Sequence, residues 1–561
     1  MASGTMTPPA LHGPSAKEKK YDRQLRLWAA SGQAALEDAH LLLVQPEVGA
    51  GVIGIETLKN LVLPGVGQYT ILDSATVREE DLGVNFFLDE ESLGSSRAAA
   101  TCKFLQELNP DVEGHFIKES ASTIINEDFL KPYSLILVSA PVDPDVLNTL
   151  SAYAVKTSTP LFYTHCVGFY AHFSIALPSA WPIVDTHPDP VSTTDLRLVK
   201  PWPALLDFVH SRTGNLEGME NDDHGHVPYL VLLSYYLEEW KKLHEGRVPS
   251  AYKEKQEFRE LVRKGMRTDT PEGSEENYEE AISAVLKSLN EPSASSAVKE
   301  VWAAEECTNL THDSHNFWII SSAIAKFYKT HGMLPLPGSV PDMKARSADY
   351  IALQNVYKSK ARADILEITA SIRELEKSLA RKTPIEGSEI EAFCKNAAHI
   401  KLIRGRPLTA YRPGSQGDRL WKDRAKFASN AVTDESSLIL LHIAFMAWDA
   451  FFQSSAMVAG DNDSDSDALE LTRLANAIVD GLFSEAGTSL NEGKSTSIKT
   501  RLHEFCQELS RAGGAELHNI ASLAGGLIAQ EVIKAITKQY IPVDNTCLFD
   551  GVKSSTSVLK L

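Results

Sequence analysis

The sequence predicts an α/β protein, with parallel-sheet character at both ends of the chain and a long helical stretch between them. Three observations carry this. Short apolar runs alternate with amphipathic segments from His40 to Ala140, long helical periodicities take over past about residue 180, and α/β character returns over residues 506–561. The elements follow in order. Tyr21, Leu25 and Trp28 recur at helical spacing, and Leu41 to Val44 is a short apolar strand. IETLKNLVLPG reads as a helix stopped by Pro64 and Gly65, YTILD (Tyr69 to Asp73) as a strand, and SSRAAATCKFLQELN as a second helix. YSLILVSA, Tyr133 to Ala140, is a third strand. Strands alternating with helices argue for a parallel sheet with right-handed crossovers.

In the middle, VPYLVLLSYYLEEWKKL, SAYKEKQEFRELVRKG and SHNFWIISSAIAKFYKTHG are amphipathic helices, and Ile365, Ile368, Ile372, Leu375 and Leu379 form one packing stripe. LILLHIAFMAWDAFF, Leu438 to Phe452, is interrupted by His442 and Asp449 and too short to span a bilayer, so it reads as a buried helix. Residues 1–18, small and polar with prolines, are expected to be a disordered tail without the apolar core of a signal peptide.

At 561 residues the chain exceeds one core, so at least two domains are expected. Lys plus Arg total 55 against 74 Asp plus Glu, a net charge of -19 that disfavours nucleic acid and anionic membranes as partners. Six cysteines, no two within 40 positions, give neither zinc-ligand spacing nor a disulfide framework. A soluble protein of a reducing compartment is expected, in the cytoplasm with the nucleus as a second site.

Gly49, Gly51 and Gly54 fit GxGxxG between a strand and a helix, a turn that lets phosphate approach a helix N-terminus. Asp73 ends the next strand, where a carboxylate can bind ribose hydroxyls. Those four residues are the candidate cofactor-binding set. The bland reading is that the glycines only pack strand against helix.

KYDRQLRLW (Lys20 to Trp28), followed by HLLLVQPEVGAGVIG, resembles the adenylation domains of ubiquitin-like-modifier-activating enzymes. In adenylating members of that family an Asn-Arg-Gln stretch and a Gly-x-x-Lys-Ala stretch supply cations for ATP. Here GVNFFL keeps Asn85 but has Phe86 and Phe87 in place of arginine and glutamine, and Arg97 stands where the lysine would be. The metal-binding aspartate after the third strand is replaced by Ala140-Pro141-Val142, with Asp143 nearest. Phenylalanine offers triphosphate neither charge nor hydrogen bond, so independent adenylation is not expected.

The further blocks LKNLVLPGVGQYTILD, DLRLVKPWP, LPLPGSVPDM, YIALQNVY and AQEVIKAITKQY are similar to those of regulatory, cysteine-less subunits of the heterodimeric neddylation-activating enzymes, over nearly the whole chain. The resemblance implies a ThiF-like adenylation fold built from residues 19–165 and 506–561, interrupted at 166–505 by a helical domain like a catalytic-cysteine domain without its cysteine. It implies a non-catalytic or half-site subunit with no cofactor of its own, ATP and magnesium being bound by an obligate catalytic partner. The Nedd/Rub modifier would be the substrate, adenylated on its C-terminal glycine and passed to the partner's thiol, with cullin modification downstream. Arg23 would act in trans on the partner's ATP. The equivalent SUMO subunit is an alternative, though shorter, and an NAD-dependent oxidoreductase using the glycine turn is a third. A pure scaffold differs from the leading reading only in what Arg23 does.

Other reactive-looking residues favour structural roles. Cys307-Thr308 lacks the family's following proline, and Glu305 and Glu306 beside it disfavour a thiolate. NDDHGH, Asn221 to His226, matches no helical metal spacing and reads as a cap for the helix after Pro228. DNDSDSD, Asp461 to Asp467, reads as an acidic loop whose Ser464 and Ser466 could accept phosphate.

Overall fold

The structure, a computed structural model, describes residues 13–188, 195–268, 273–408, 411, 420–461, 463–490 and 492–561. The chain divides into two compact units, one of residues 1–181 with 403–561 and one of residues 182–402. The first unit is thus made from both chain ends. It also contains residues 166–181 and 403–505, which the sequence reading put in the helical insertion.

An eight-stranded sheet organises the first unit. Its strands are β1 (His40–Val44), β2 (Gln68–Leu72), β3 (Glu113–Ile117), β4 (Leu135–Ser139), β5 (Leu161–Val167) and β6 (Tyr170–Ala176). After β7 (Trp181–Val184) and β8 (Ile400–Ile403), which pair separately, come β9 (Thr546–Asp550) and β10 (Ser555–Leu559). The spatial order is β10-β9-β6-β5-β4-β1-β2-β3. Strands β3 through β5 run parallel, and β6, β9 and β10 extend the sheet antiparallel. Leu41 to Val44 are wholly buried because both sheet faces are covered, which explains their uninterrupted apolar run. Strand order reverses between β1 and β4, with β2 and β3 laid to one side of β1 and β4 and β5 to the other, the switch point beside which open α/β sheets bind ligands.

The helix Val52–Val62 follows the glycine turn and packs against His518–Thr537 from the far end of the chain. The latter is long and apolar enough to cross a membrane by length and composition, but 61% of its apolar window is buried inside the protein. Helices Ile439–Ser455, Ser464–Ala486 and Glu492–Ala512 pack together in the same unit. The second unit is mainly helical. Its core gathers Leu230 to Leu233 of helix Tyr229–Leu243 with Leu353, Tyr357 and Ala361 of the 32-residue helix Ser347–Ser378.

Two local expectations need correction. Of the expected tail, residues 1–12 lie outside the described residues, and Ala16–Lys20 is helical, capped by reciprocal bonds between Ser15 and Glu18. The acidic stretch is not all loop. Asp463 accepts from the N–H groups of Asp465 and Ser466 and starts the helix Ser464–Ala486, while Asn462 lies outside the described residues.

Candidate functional site

The glycine turn forms as its sequence suggests, and its glycines are required by the backbone. Gly51, at φ 62°, is the N-cap of helix Val52–Val62, and a Cβ there would lie 2.1 Å from Gln45 Oε1. A Cβ on Gly54 would meet Ser139 Oγ at 2.3 Å, so the helix can sit against β1 and β4 only with glycine there. Both positions serve strand–helix packing whatever the turn binds.

The helix N-terminus is already bonded within the chain. Glu516 Oε2 accepts from the Val52 N–H at 2.6 Å, and its Oε1 accepts from the Ile53 N–H at 3.0 Å. These are the donors a phosphate would use at this turn. Gly513 and Gly514, with φ of 57° and 69°, turn the chain just ahead of Glu516. Burial raises the Glu516 carboxyl to about 7, outweighing the N–H bonds and Arg97, which pull it down. A carboxyl raised from 4.5 holds its proton in the folded chain after the unfolded chain has lost it. Its contribution is therefore fully present below pH 4.5 and is lost as pH rises through 7. We expect the stability difference between the native chain and Glu516→Gln to shift against the native chain by on the order of 1 kcal/mol per pH unit across that window. Denaturant midpoints at pH 5 and pH 7.5 measure it, and a difference independent of pH would contradict it.

Asp73 is likewise engaged, and by the residue standing at the family's lysine position. Arg97 Nε donates to Asp73 Oδ2 at 2.6 Å and Nη2 donates to Oδ1 at 3.1 Å. Its other N–H groups reach the carbonyls of Gly49 (2.6 Å) and Pro46 (2.8 Å) and Asp81 Oδ1 (3.4 Å). All five guanidinium donors are used, with Arg97 only 4% exposed. Burial opposes the charge, but Asp73 and Asp81 more than offset it and hold the guanidinium pKa above its usual value. The side chain that would meet phosphate instead ties the glycine turn to the end of β2, and the carboxylate that would meet ribose is its partner.

The switch-point crevice, about 650 Å³, lies beyond β1 and β4 and is lined by Glu47, Asp143 and Asp145 with Gln45, Val48 and Val142. Among its described lining residues there is no Lys or Arg, so its field opposes a triphosphate. The two phenylalanines are not a pair. Phe87 is buried, whereas Phe86 is 70% exposed and stacks on His518 with ring centroids 3.8 Å apart. Asn85 is structural, its Oδ1 accepting from the Phe87 N–H.

Arg23 lies in the helix Asp22–Glu37, exposed, while Tyr21 and Trp28 are buried. Arg26 pairs with Asp22 at 2.8 Å, whereas Arg23 makes no ion pair or hydrogen bond among the described residues.

All six cysteines are free and buried. Burial, then Glu306, pushes the Cys307 thiol up to about 11, and Cys394 and Cys506 are raised to about 12. At pH 7 roughly one Cys307 in ten thousand is thiolate. We expect the folded chain to resist alkylation by iodoacetamide at neutral pH and to take up six adducts only after denaturation, read by intact mass. A rapid single adduct on the folded chain would contradict this. NDDHGH forms a short helix, Asn221–His224, but does not cap the helix that follows, which has no side-chain cap. His224 instead bonds Glu275 at 2.7 Å and stacks on Tyr278. No cluster among the described residues could hold a metal ion.

Glu516 was invisible to sequence reasoning because it acts on residues more than 460 positions away. Its one local signal is the lone carboxylate that follows Ala512-Gly513-Gly514-Ala515, a run of small residues.

The ThiF family model matches residues 21–561. A NEDD8-activating enzyme E1 regulatory subunit from Xenopus laevis is 36% identical over 97% of this chain and 99% of its own length. The regulatory subunit AXR1 from Arabidopsis thaliana is 35% identical over 97% of this chain and 96% of its own. The Saccharomyces cerevisiae counterpart is 24% identical, again over 97% of this chain. With an adenylation-type sheet made from both chain ends and end-to-end similarity at this level, the chain belongs to the NEDD8-activating enzyme E1 regulatory subunits of the ThiF family.

Proposed function

We propose that this chain is the half of a two-subunit activating enzyme that holds no nucleotide of its own and completes the site of a catalytic partner acting on a NEDD8-type modifier. The observation that supports this best is the double engagement of the glycine turn, with Glu516 on the helix N-terminus and Arg97 on Asp73. ATP and magnesium then belong to the partner, where the modifier's C-terminal carboxylate becomes an acyl adenylate with release of pyrophosphate. The partner's thiolate next attacks that carbonyl and AMP leaves. This chain's part is assembly and the placing of Arg23 toward the partner's phosphates. Leu27, Phe86 and Leu523, exposed by 50%, 70% and 48%, offer apolar contact for pairing. A reducing compartment, cytoplasm or nucleus, suits six free thiols.

The test is ATP–pyrophosphate exchange with a NEDD8-type modifier, by the purified chain and by the complex it copurifies with. We expect background exchange from the chain alone and full exchange from the complex. Robust exchange by the single chain would overturn the proposal.

A further inference from the structure

The helix that carries Arg23 is broken in its middle. Trp28 (φ -123°, ψ 18°) and Ala29 (φ 55°, ψ -179°) leave the helical region and divide Asp22–Glu37 into an arm, Asp22 to Leu27, and a base, Ala30 to Glu37. Glycine adopts the Ala29 conformation freely, whereas a residue with a Cβ adopts it only where its surroundings enforce it.

The enforcing contacts come from the far end of the chain. Lys538, at φ 54°, ends the helix His518–Thr537. The two residues after it reach the break. Gln539 Nε2 donates to the Trp28 carbonyl at 2.9 Å, and the Tyr540 hydroxyl donates to the Leu27 carbonyl at 3.4 Å. A break at this point turns carbonyls of the preceding turn away from their N–H partners, and outside donors take their place. Gln539 comes this close because residue 32 is glycine. A Cβ there would lie 2.7 Å from Trp28 Cβ and 3.0 Å from Gln539 Nε2. Trp28, 7% exposed, donates its ring N–H to Gln33 Oε1 at 3.0 Å.

The other end of the arm is held at Tyr21. Asn109 Nδ2 donates to the Tyr21 hydroxyl at 3.0 Å, and that hydroxyl donates to Asp111 Oδ2 at 3.2 Å. Arg23 stands exposed between the two anchors. It lies about 9 Å of helix from Ala29, so a swing of the arm by about 20° at the break moves it about 3 Å. A misplacement of about 1 Å already costs a reacting geometry up to about a hundredfold in rate.

We infer that Gln539 is a positioning residue for Arg23, its bond to the Trp28 carbonyl holding the helix break and fixing the line along which the guanidinium leaves the unit. This rests on the reading of Arg23 as acting on the partner's ATP, and the experiment separates the two. Pyrophosphate exchange per assembled complex is measured against ATP concentration. Gln539→Ala is expected to lower kcat about tenfold. Arg23→Ala combined with Gln539→Ala is expected to be no slower than Arg23→Ala alone, because a side chain already absent cannot be misdirected. Ala29→Gly, which lets the break persist without its clamp, is expected to return Gln539→Ala to within about twofold of the wild type. In the full-length chain, spin labels at Arg26→Cys and Glu107→Cys report the arm by pulsed EPR, the six native cysteines being buried. Gln539→Ala should shift or broaden that distance by about 3 Å, and Ala29→Gly should restore it. Slow exchange in Arg23→Ala with wild-type exchange in Gln539→Ala would overturn the positioning inference and spare the reading of Arg23. Additive losses in the double variant, or label distances unmoved by Gln539→Ala, would overturn it as well. Unchanged exchange in Arg23→Ala with a shifted label distance would overturn the reading of Arg23 alone and support Gln539 as what holds the arm.

Discussion

Arg97→Ala is expected to lower the stability of the chain by about 3–5 kcal/mol, the range for breaking a buried ion pair from one side. The loss comes less from missing attraction than from what is left behind. Asp73, 3% exposed, would keep its backbone bond from Ala75 but face no cation, and Asp81 would lose its contact at 3.4 Å. The carbonyls of Pro46 and Gly49 would lose their donors as well. Arg97→Lys should fall between, since an ammonium cannot reproduce the bidentate grip on Asp73. Arg97→Met combined with Asp73→Asn should recover part of the loss, because Asp73 is then not stranded as a charge and only Asp81, held by the Arg78 N–H, keeps one. Urea denaturation of the four proteins checks this. A loss below about 1 kcal/mol for Arg97→Ala, or no recovery in the double variant, would mean the guanidinium does not bind the turn together.

The same arginine shows how far the sequence could be read. Periodicity located β1, β2, β4 and the helices between them because each is a local pattern. The glycine turn was legible for the same reason. Its engagement was not. Arg97 read as a substituted phosphate ligand, since sequence gives residue type at a position and not the direction of a guanidinium. Strand β3 was missed because, as an edge strand, its Glu113, His115 and Phe116 lack apolar alternation. The helices Ala425–Thr433, Ile439–Ser455, Ser464–Ala486 and Glu492–Ala512 begin in the stretch given to the helical insertion, yet they belong to the unit carrying the sheet. Local periodicity cannot tell which core a helix packs on. His442 and Asp449 were visible only as interruptions of an apolar run. Their meeting with Tyr163 and His172 depends on a hairpin nearly 300 residues earlier.

Arg23→Ala is expected to slow modifier adenylation by the assembled complex tens to hundreds of times while leaving assembly intact. The argument is positional. Arg23 is exposed on a helix whose buried side chains include Tyr21 at its N-terminal boundary and Trp28, so its removal opens no cavity. Surface truncations of that kind change stability by about 0.5 kcal/mol or less. Unlike Arg26, it has no carboxylate partner among the described residues, so its charge is available to another molecule. Arginines donated in trans to phosphoryl groups are worth about a thousandfold or more. A smaller effect is expected for adenylation, since in the proposed arrangement cations and magnesium at the partner's own site would share in neutralising the departing pyrophosphate. Arg26→Ala is the control, since Arg26 is spaced one turn away and already paired with Asp22 at 2.8 Å. It should change exchange rates little. A raised ATP requirement or a slower pyrophosphate exchange confined to the Arg23 variant would place that guanidinium at the partner's nucleotide. Rates unchanged within twofold, in a complex shown to be fully assembled, would leave the chain as scaffold alone.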